Sequence, residues 1–173
     1  MLMRFSYLKL FLVLLLVLTA NVNTNAQNVV LNYITKYTPI AQSVSDSFGV
    51  PVDLIIAVAI VESAAGTSRN ALILKNHFGL KAGNKIRTVK GIKTRFRDYE
   101  DDSLSYVDFC TYLSKRKFYA TLKGNFHYNA WLNAMIKSGY STAPKAWKIK
   151  IVNYIKKYNL TALNVINATP KQP

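Results

Sequence analysis

Apolar residues recur at helical spacing from residue 32 to residue 48, at Tyr33, Tyr37, Ile40, Ala41, Val44 and Phe48, which predicts a first helix with Pro39 as the place where it would break. Gly49 ends that helix, and Pro51 with Asp53 opens a second one running to about Ala64 through Leu54-Ile55-Ile56-Ala57-Val58-Ala59-Ile60-Val61. A helix that is apolar on every side belongs at the centre of a core. Between Asn76 and Tyr99 the pattern changes to glycine punctuation (Gly79, Gly83, Gly91) and short alternation at Ile92-Lys93-Thr94-Arg95-Phe96, which fits a small hairpin or irregular lobe. The acidic cluster Glu100-Asp101-Asp102 suits the start of a third helix, continued by Leu104, Val107, Phe109 and Leu113. Two more helices are expected around 129–137 and 144–158, joined by Ser138-Gly139-Tyr140-Ser141-Thr142-Ala143, and the chain beyond Leu160 reads as a loose tail. The lysines from Lys145 to Lys157 alternate with Trp147, Ile149, Ile151, Val152 and Ile155, the pattern of a solvated helix face.

The first residues read differently. Arg4 and Lys9 precede or border an apolar run from Leu10 to Leu18, followed by a polar stretch ending Thr24-Asn25-Ala26-Gln27, the form of a secretory signal cleaved after Ala26. The run falls short of the roughly 20 residues a membrane-spanning helix needs. The organisation expected is therefore a signal peptide over 1–26, one domain over 27–160 and a flexible tail over 161–173, in an exported protein, periplasmic or secreted, with no stable membrane span after cleavage. Cys110 is the single cysteine, has no partner for a disulfide and lies among apolar residues, so core packing is its expected role.

Charge narrows the partners. The chain carries 23 Lys and Arg against 8 Asp and Glu, a net charge of +15 that becomes +13 once Arg4 and Lys9 leave with the signal. Such a surplus implies an acidic partner. An exported protein meets anionic cell-envelope polymers rather than nucleic acid, and no nucleic-acid motif is present. His77 and His127 are the only histidines and have no ligand-like spacing with cysteines or carboxylates, so neither a metal nor a cofactor is expected. A monomer is the expected state.

Acid and base chemistry has few candidates: two glutamates, Glu62 and Glu100, and six aspartates. Glu62 stands near the end of the apolar helix, where burial of a carboxylate would cost several kcal/mol unless it stays protonated or is paired. Such placement raises its pKa, and a carboxyl held protonated near neutral pH can donate to a departing sugar oxygen.

The neighbourhood of Glu62 carries a resemblance. Val61-Glu62-Ser63-Ala64-Ala65-Gly66-Thr67-Ser68, followed by Asn76-His77-Phe78-Gly79-Leu80-Lys81-Ala82, then Phe96-Arg97-Asp98-Tyr99, Gly139-Tyr140-Ser141-Thr142-Ala143-Pro144 and Ile155-Lys156-Lys157-Tyr158-Asn159-Leu160, resembles in order the bacterial endo-β-N-acetylglucosaminidases of peptidoglycan, glycoside hydrolase family 73. The likeness spans roughly Tyr33 to Leu160. It implies a mainly α, lysozyme-like α+β fold, with an α-helical lobe and a small β or irregular lobe flanking a groove for peptidoglycan glycan strands. By position, Glu62 matches the family's general acid, donating to the glycosidic oxygen after an N-acetylglucosamine unit. Tyr140 matches a groove tyrosine, and Asn76 and Phe78 match the motif between the lobes, where an amide can bind an N-acetyl group and a ring can line the groove.

Departures from the family pattern bear on mechanism. A second carboxylate is common in the family's β lobe, yet residues 81–97 contain none and are filled with lysine and arginine. Asp98 or Glu100 are the nearby substitutes, though capping or solvated charge explains both. Without a fixed base, the substrate's own N-acetyl group can attack the anomeric carbon, or water can enter with little assistance. Ala64-Ala65-Gly66 lacks the family's bulky aromatic beside the glutamate, and Val58 stands where glutamine is common. A muramidase, a lytic transglycosylase, or a catalytically weak wall-binding domain are the competing readings.

Overall fold

The computed structural model describes the backbone of residues 2–168 and the side chains of residues 25–164. The chain divides between Asn32 and Tyr33 into two compact units. Residues 2–32 are helical, part of α1 (Leu2–Phe48), and the side chains of the expected signal segment up to residue 24 lie outside the described residues. Among the described residues, no helix is long and apolar enough to cross a membrane.

The second unit begins inside α1, continues through α2 (Val52–Ser63), α3 (Arg69–Leu74), a hairpin of β1 (Arg87–Val89) and β2 (Ile92–Thr94), α4 (Asp102–Ser114), α5 (Tyr119–Leu122), α6 (Tyr128–Lys137) and α7 (Pro144–Lys157), and ends in a 3-10 helix, Leu160–Ala168. This is the expected mainly helical architecture with a small two-stranded sheet. α1 runs through Pro39 without the expected break; the proline is exposed, so its ring meets solvent, and the Thr38 hydroxyl donates to the Ile34 carbonyl at 2.7 Å just before it. Gly49 then turns the chain at φ +65, and any Cβ there would sit 2.8 Å from the backbone nitrogen of Gly124, so only glycine fits.

The central position of α2 follows from its composition. Residues 52–60 are all buried, against α6, α7 and the terminal 3-10 helix. Each fully buried Leu, Ile or Val side chain contributes about 1.5–3 kcal/mol, so this helix anchors the unit. It ends at Ala64 and Ala65, both left-handed with φ 51. The Ser63 hydroxyl secures that end by donating to the Ala59 carbonyl at 2.6 Å and accepting from the Gly66 amide at 2.8 Å. Cys110 is buried and unpaired.

Two differences from the sequence reading concern local chemistry. α3 was not expected; Ser68 caps it, its hydroxyl accepting from the Ala71 amide at 3.3 Å. The stretch expected as a loose tail from 161 instead enters the 3-10 helix that packs on α2 and α7, with Leu160 buried and the Asn164 side-chain carbonyl accepting from the Asp53 amide at 3.3 Å. Residues 169–173 of that tail lie outside the described residues. At the start of α4 the acidic cluster behaves as expected, Asp101 accepting from the amides of Ser103 and Leu104 at 2.7 and 3.2 Å.

Candidate active site

Glu62 sits in the last turn of α2, where the buried helix reaches an open groove of about 380 Å³. The groove is also lined by Phe78, Gly79 and Leu80 from the segment after α3, by Lys81 and Arg97 flanking the hairpin, by Asp108 and Tyr112 on α4 and Lys115 at its C-terminal cap, and by Tyr140 before α7. Asp108, Tyr112 and Lys115 fall at helical spacing, so one polar stripe of α4 forms a wall opposite the carboxylate's own helix.

The Glu62 carboxyl is held by a residue from far along the chain: the Trp147 indole donates to Oε1 at 2.7 Å. Burial pushes the Glu62 pKa up, and the Trp147 bond pulls back only part of the way. Indole is a donor only, so Oε1 is the acceptor of this bond and Oε2 is not engaged by it. That oxygen faces Gly79: a Cβ added at Gly79 would lie 3.8 Å from Oε2, and the glycine holds φ +62. The absence of a side chain there leaves room beside Oε2.

Tyr140 lies next to this pair, its ring 5.2 Å from that of Trp147, with further edge contacts to Tyr112 and Phe109. Its hydroxyl is buried without a hydrogen-bond partner, and burial, reinforced by the nearby Glu62 charge, holds its pKa well above the usual phenol range. Phe78 stacks flat on Phe109 at 4.2 Å and presents to the groove while only 2 % exposed. Three of the four expected site residues, Glu62, Phe78 and Tyr140, are thus brought to one groove.

Asn76 is the correction. Its side-chain amide donates to the carbonyls of Leu80 and Arg97 at 2.9 and 3.0 Å, and its carbonyl accepts from the amides of Phe78 and Leu80 at 3.3 and 3.1 Å. Every donor and acceptor of the side chain is consumed by the backbone, and the residue is buried away from the groove lining. Asn76 shapes the loop that carries Phe78 and Gly79 and has nothing left for an N-acetyl group.

The second carboxylate in the groove is Asp108, which sequence reasoning passed over. Its Oδ2 accepts from the Arg97 guanidinium and from the Tyr99 hydroxyl, the latter at 2.6 Å. Asp98 instead pairs with Lys90 at 2.8 Å and faces a neighbouring depression, and Glu100 is exposed, so neither lines the groove with Glu62. The missed signal was the polar stripe 108–112–115 on a helix otherwise read only for its apolar face.

Behind the groove lies a buried polar network. His77, 1 % exposed, engages Asp102 Oδ1 through Nε2 at 3.0 Å and the Tyr33 hydroxyl through Nδ1 at 2.7 Å. Tyr33 meets Tyr106 at 2.8 Å, and Tyr37 donates to Asp102 Oδ2 at 2.8 Å. Because a carboxylate only accepts, Nε2 carries the proton and Nδ1 accepts from Tyr33. Burial lowers the His77 pKa despite Asp102, so the ring is neutral. His127 is exposed at the start of α6, and no cluster that could hold a metal occurs among the described residues.

Comparison with known proteins places this geometry. The sequence profile described as mannosyl-glycoprotein endo-β-N-acetylglucosaminidase, of the glucosaminidase family, matches residues 38–160. No curated protein matches the chain by sequence. Among solved structures, the catalytic domain of the autolysin Auto from Listeria monocytogenes is 20% identical, over 78% of this chain and 87% of that one, with a TM-score of 0.63. A peptidoglycan hydrolase from Sphingomonas sp. A1 is 25% identical over 82% and 97%, with a TM-score of 0.61. The glycoside hydrolase domain of FlgJ from Salmonella typhimurium is 24% identical over 80% and 94%, with a TM-score of 0.61.

Proposed function

The chain belongs to the mannosyl-glycoprotein endo-β-N-acetylglucosaminidase family and is a glycoside hydrolase, and from that premise we propose that it cuts peptidoglycan glycan strands at the β-1,4 bond following N-acetylglucosamine, with Glu62 as general acid. The observation that carries this reading is the Glu62 carboxyl itself. Burial raises its pKa, Trp147 fixes it through Oε1, and Oε2 lies open beside Gly79.

In the proposed reaction Oε2–H protonates the glycosidic oxygen as the bond from that oxygen to the anomeric carbon breaks. Positive charge develops on the anomeric carbon, and the carbonyl oxygen of the sugar's own 2-acetamido group forms a bond to it. Water then adds to that carbon as the acetamido bond breaks, and its proton passes to the Glu62 carboxylate, restoring the acid. The acetamido group takes the nucleophile's part because Asp108, the other groove carboxylate, is occupied by Arg97 and Tyr99 on Oδ2. Asp108 acts as a positioning residue that keeps Arg97 and Tyr99 in place. The Tyr140 hydroxyl donates to the bound sugar, and Phe78 lines its path.

The test is digestion of intact peptidoglycan by the wild type and by Glu62→Gln, with released fragments reduced by borohydride and their ends read by mass spectrometry. Reduced N-acetylglucosamine ends from the wild type alone support the proposal. Reduced muramic ends would make the enzyme a muramidase, and anhydro-muramic ends a lytic transglycosylase. Release of nothing, with retained wall binding, would make the groove a binding site only. We further propose that residues 1–26 direct export, which N-terminal sequencing of the mature protein checks directly.

A further inference from the structure

The hairpin holds the feature that the reaction does not use. Residues 81–97 carry seven lysines and arginines and no carboxylate. The register pairs Thr88 with Lys93 and Arg87 with Thr94, and Ile92 and Thr94 are buried, so Lys93 stands on the opposite, outward face. Lys81 joins the hairpin through a bridge to Phe96, and the Ala82 amide donates to the Arg95 carbonyl at 2.8 Å, which holds the basic side chains to a fixed frame. Lys81, Lys93 and Arg95 line a shallow depression of about 360 Å³ together with Thr94, Phe96 and Ile86, the last 63% exposed.

Two observations define what fits there. Lys81 lines both this depression and the groove that holds Glu62, so the two are neighbours across that side chain. An occupant of the depression is therefore within reach of a strand in the groove. The surface also mixes cations with apolar carbon: an exposed Ile86 and a half-exposed Phe96 offer nothing to a phosphodiester chain, yet suit a short peptide bearing methyl groups and free carboxylates. The ion pairs of Arg97 with Asp108 and of Lys90 with Asp98 are already made, whereas Lys81, Lys93 and Arg95 form none.

We propose that the outward face of the hairpin is a subsite for an acidic peptide substituent carried by the glycan strand, its carboxylates held by Lys81, Lys93 and Arg95 and its aliphatic part lying on Ile86. This rests on the reading of the groove as the site of peptidoglycan cleavage and adds that the enzyme selects strands still bearing their peptides. It also gives the cationic hairpin a function in the place where related enzymes often carry a second carboxylate.

The experiment compares peptide-bearing glycan strands with the same strands stripped of peptide by an amidase, at low salt and at high salt. Three enzymes are used: wild type, Lys93→Gln/Arg95→Gln, and a charge-matched control, Lys156→Gln/Lys157→Gln, in the last turn of α7. Exposed ion pairs contribute modestly and are screened by salt, so wild type is expected to prefer peptide-bearing strands by about 3- to 10-fold in kcat/KM at low salt. That preference should shrink toward one at high salt and in the hairpin variant, and persist in the control. A wild type without preference, or a hairpin variant that keeps it, overturns the proposal. So does a preference abolished by polyphosphate but not by the free acidic peptide, which would mark a phosphate-polymer site. If wild type cuts neither substrate, the hydrolase reading has failed. The subsite is then judged by equilibrium binding, where equal retention of peptide-bearing and stripped strands at low salt rejects it as well.

Discussion

The floor of the groove and its rim are built on opposite principles. The floor is α2, whose residues 52–60 are buried and which brings one carboxyl to the surface under an indole donor. The rim includes Lys81 and Arg97, which flank the hairpin of β1 and β2, itself exposed, short and dense in cations. On the floor a single ionisable group is governed by exclusion of water, so its chemistry is insensitive to salt and intolerant of substitution. On the rim several charges act through water, each weakly, and their effect is collective and screened. One groove thus joins a carboxyl shielded from water to a basic edge exposed to it.

That contrast breaks if the floor proves tolerant. Glu62→Gln is expected to lower kcat by about 10²- to 10⁴-fold while leaving Tm unchanged or raised, since a neutral isostere removes a desolvated carboxyl. A loss under tenfold would move the chemistry elsewhere. The next largest effect should come from behind the floor. Asp102→Ala removes the acceptor of His77 and Tyr37 and is expected to cost about 2–3 kcal/mol of stability, read by urea denaturation.

The same network predicts a pH response whose sign can be worked out. Burial lowers the His77 pKa below its ordinary 6.5, so the unfolded chain binds the proton more readily. Stability from this group is complete above that ordinary value and is lost as pH falls through it toward the lowered folded value. For Asp102, burial pushes the pKa up, but the bonds from His77 and Tyr37 outweigh it and leave the pKa below its ordinary 3.8, so a second loss follows in stronger acid. Tm should drop as pH falls through the ordinary His77 value of 6.5, and His77→Gln should flatten that slope.

A smaller effect sharpens the picture of the floor. Trp147→Phe removes the donor that holds the Glu62 pKa down, so that pKa rises further. The general acid must be protonated to act, hence the alkaline limb of the kcat profile should move to higher pH, with a stability cost of about 1 kcal/mol. The smallest expected effect belongs to the rim: raising salt should slow cleavage of peptide-bearing strands only a few-fold. A rim that behaved like the floor, with large losses indifferent to salt, would collapse the distinction.

How far the sequence reaches follows the same division. The unbroken apolar run from Leu54 to Val61 announces α2, glycine spacing announces the hairpin, and one glutamate among aliphatic residues announces its own burial. These are local signals with one physical reading. Asp108 and Trp147 had no such signal, because a carboxylate on an amphipathic helix reads as solvated and a tryptophan among isoleucines reads as core. Their roles arise only when α4 and α7 are brought against α2. Asn76 misled for the converse reason: its place in the motif is real, but its hydrogen bonds are spent on the loop. α3 is too short for periodicity to register, and the terminal 3-10 helix depends on α2 for its packing.

The distance along the chain between Glu62 and Trp147, 85 residues, carries a consequence for the cell that makes this protein. A nascent chain that has emerged through α6 already contains the acid, the hairpin and the polar wall of α4, yet lacks the indole that orients the carboxyl and the 3-10 segment that packs on α2. Contacts so widely separated close late, after local structure has formed. The indole therefore reaches the Glu62 carboxyl only once α7 has been made, and a chain released before α7 would carry Glu62 without its hydrogen-bond donor.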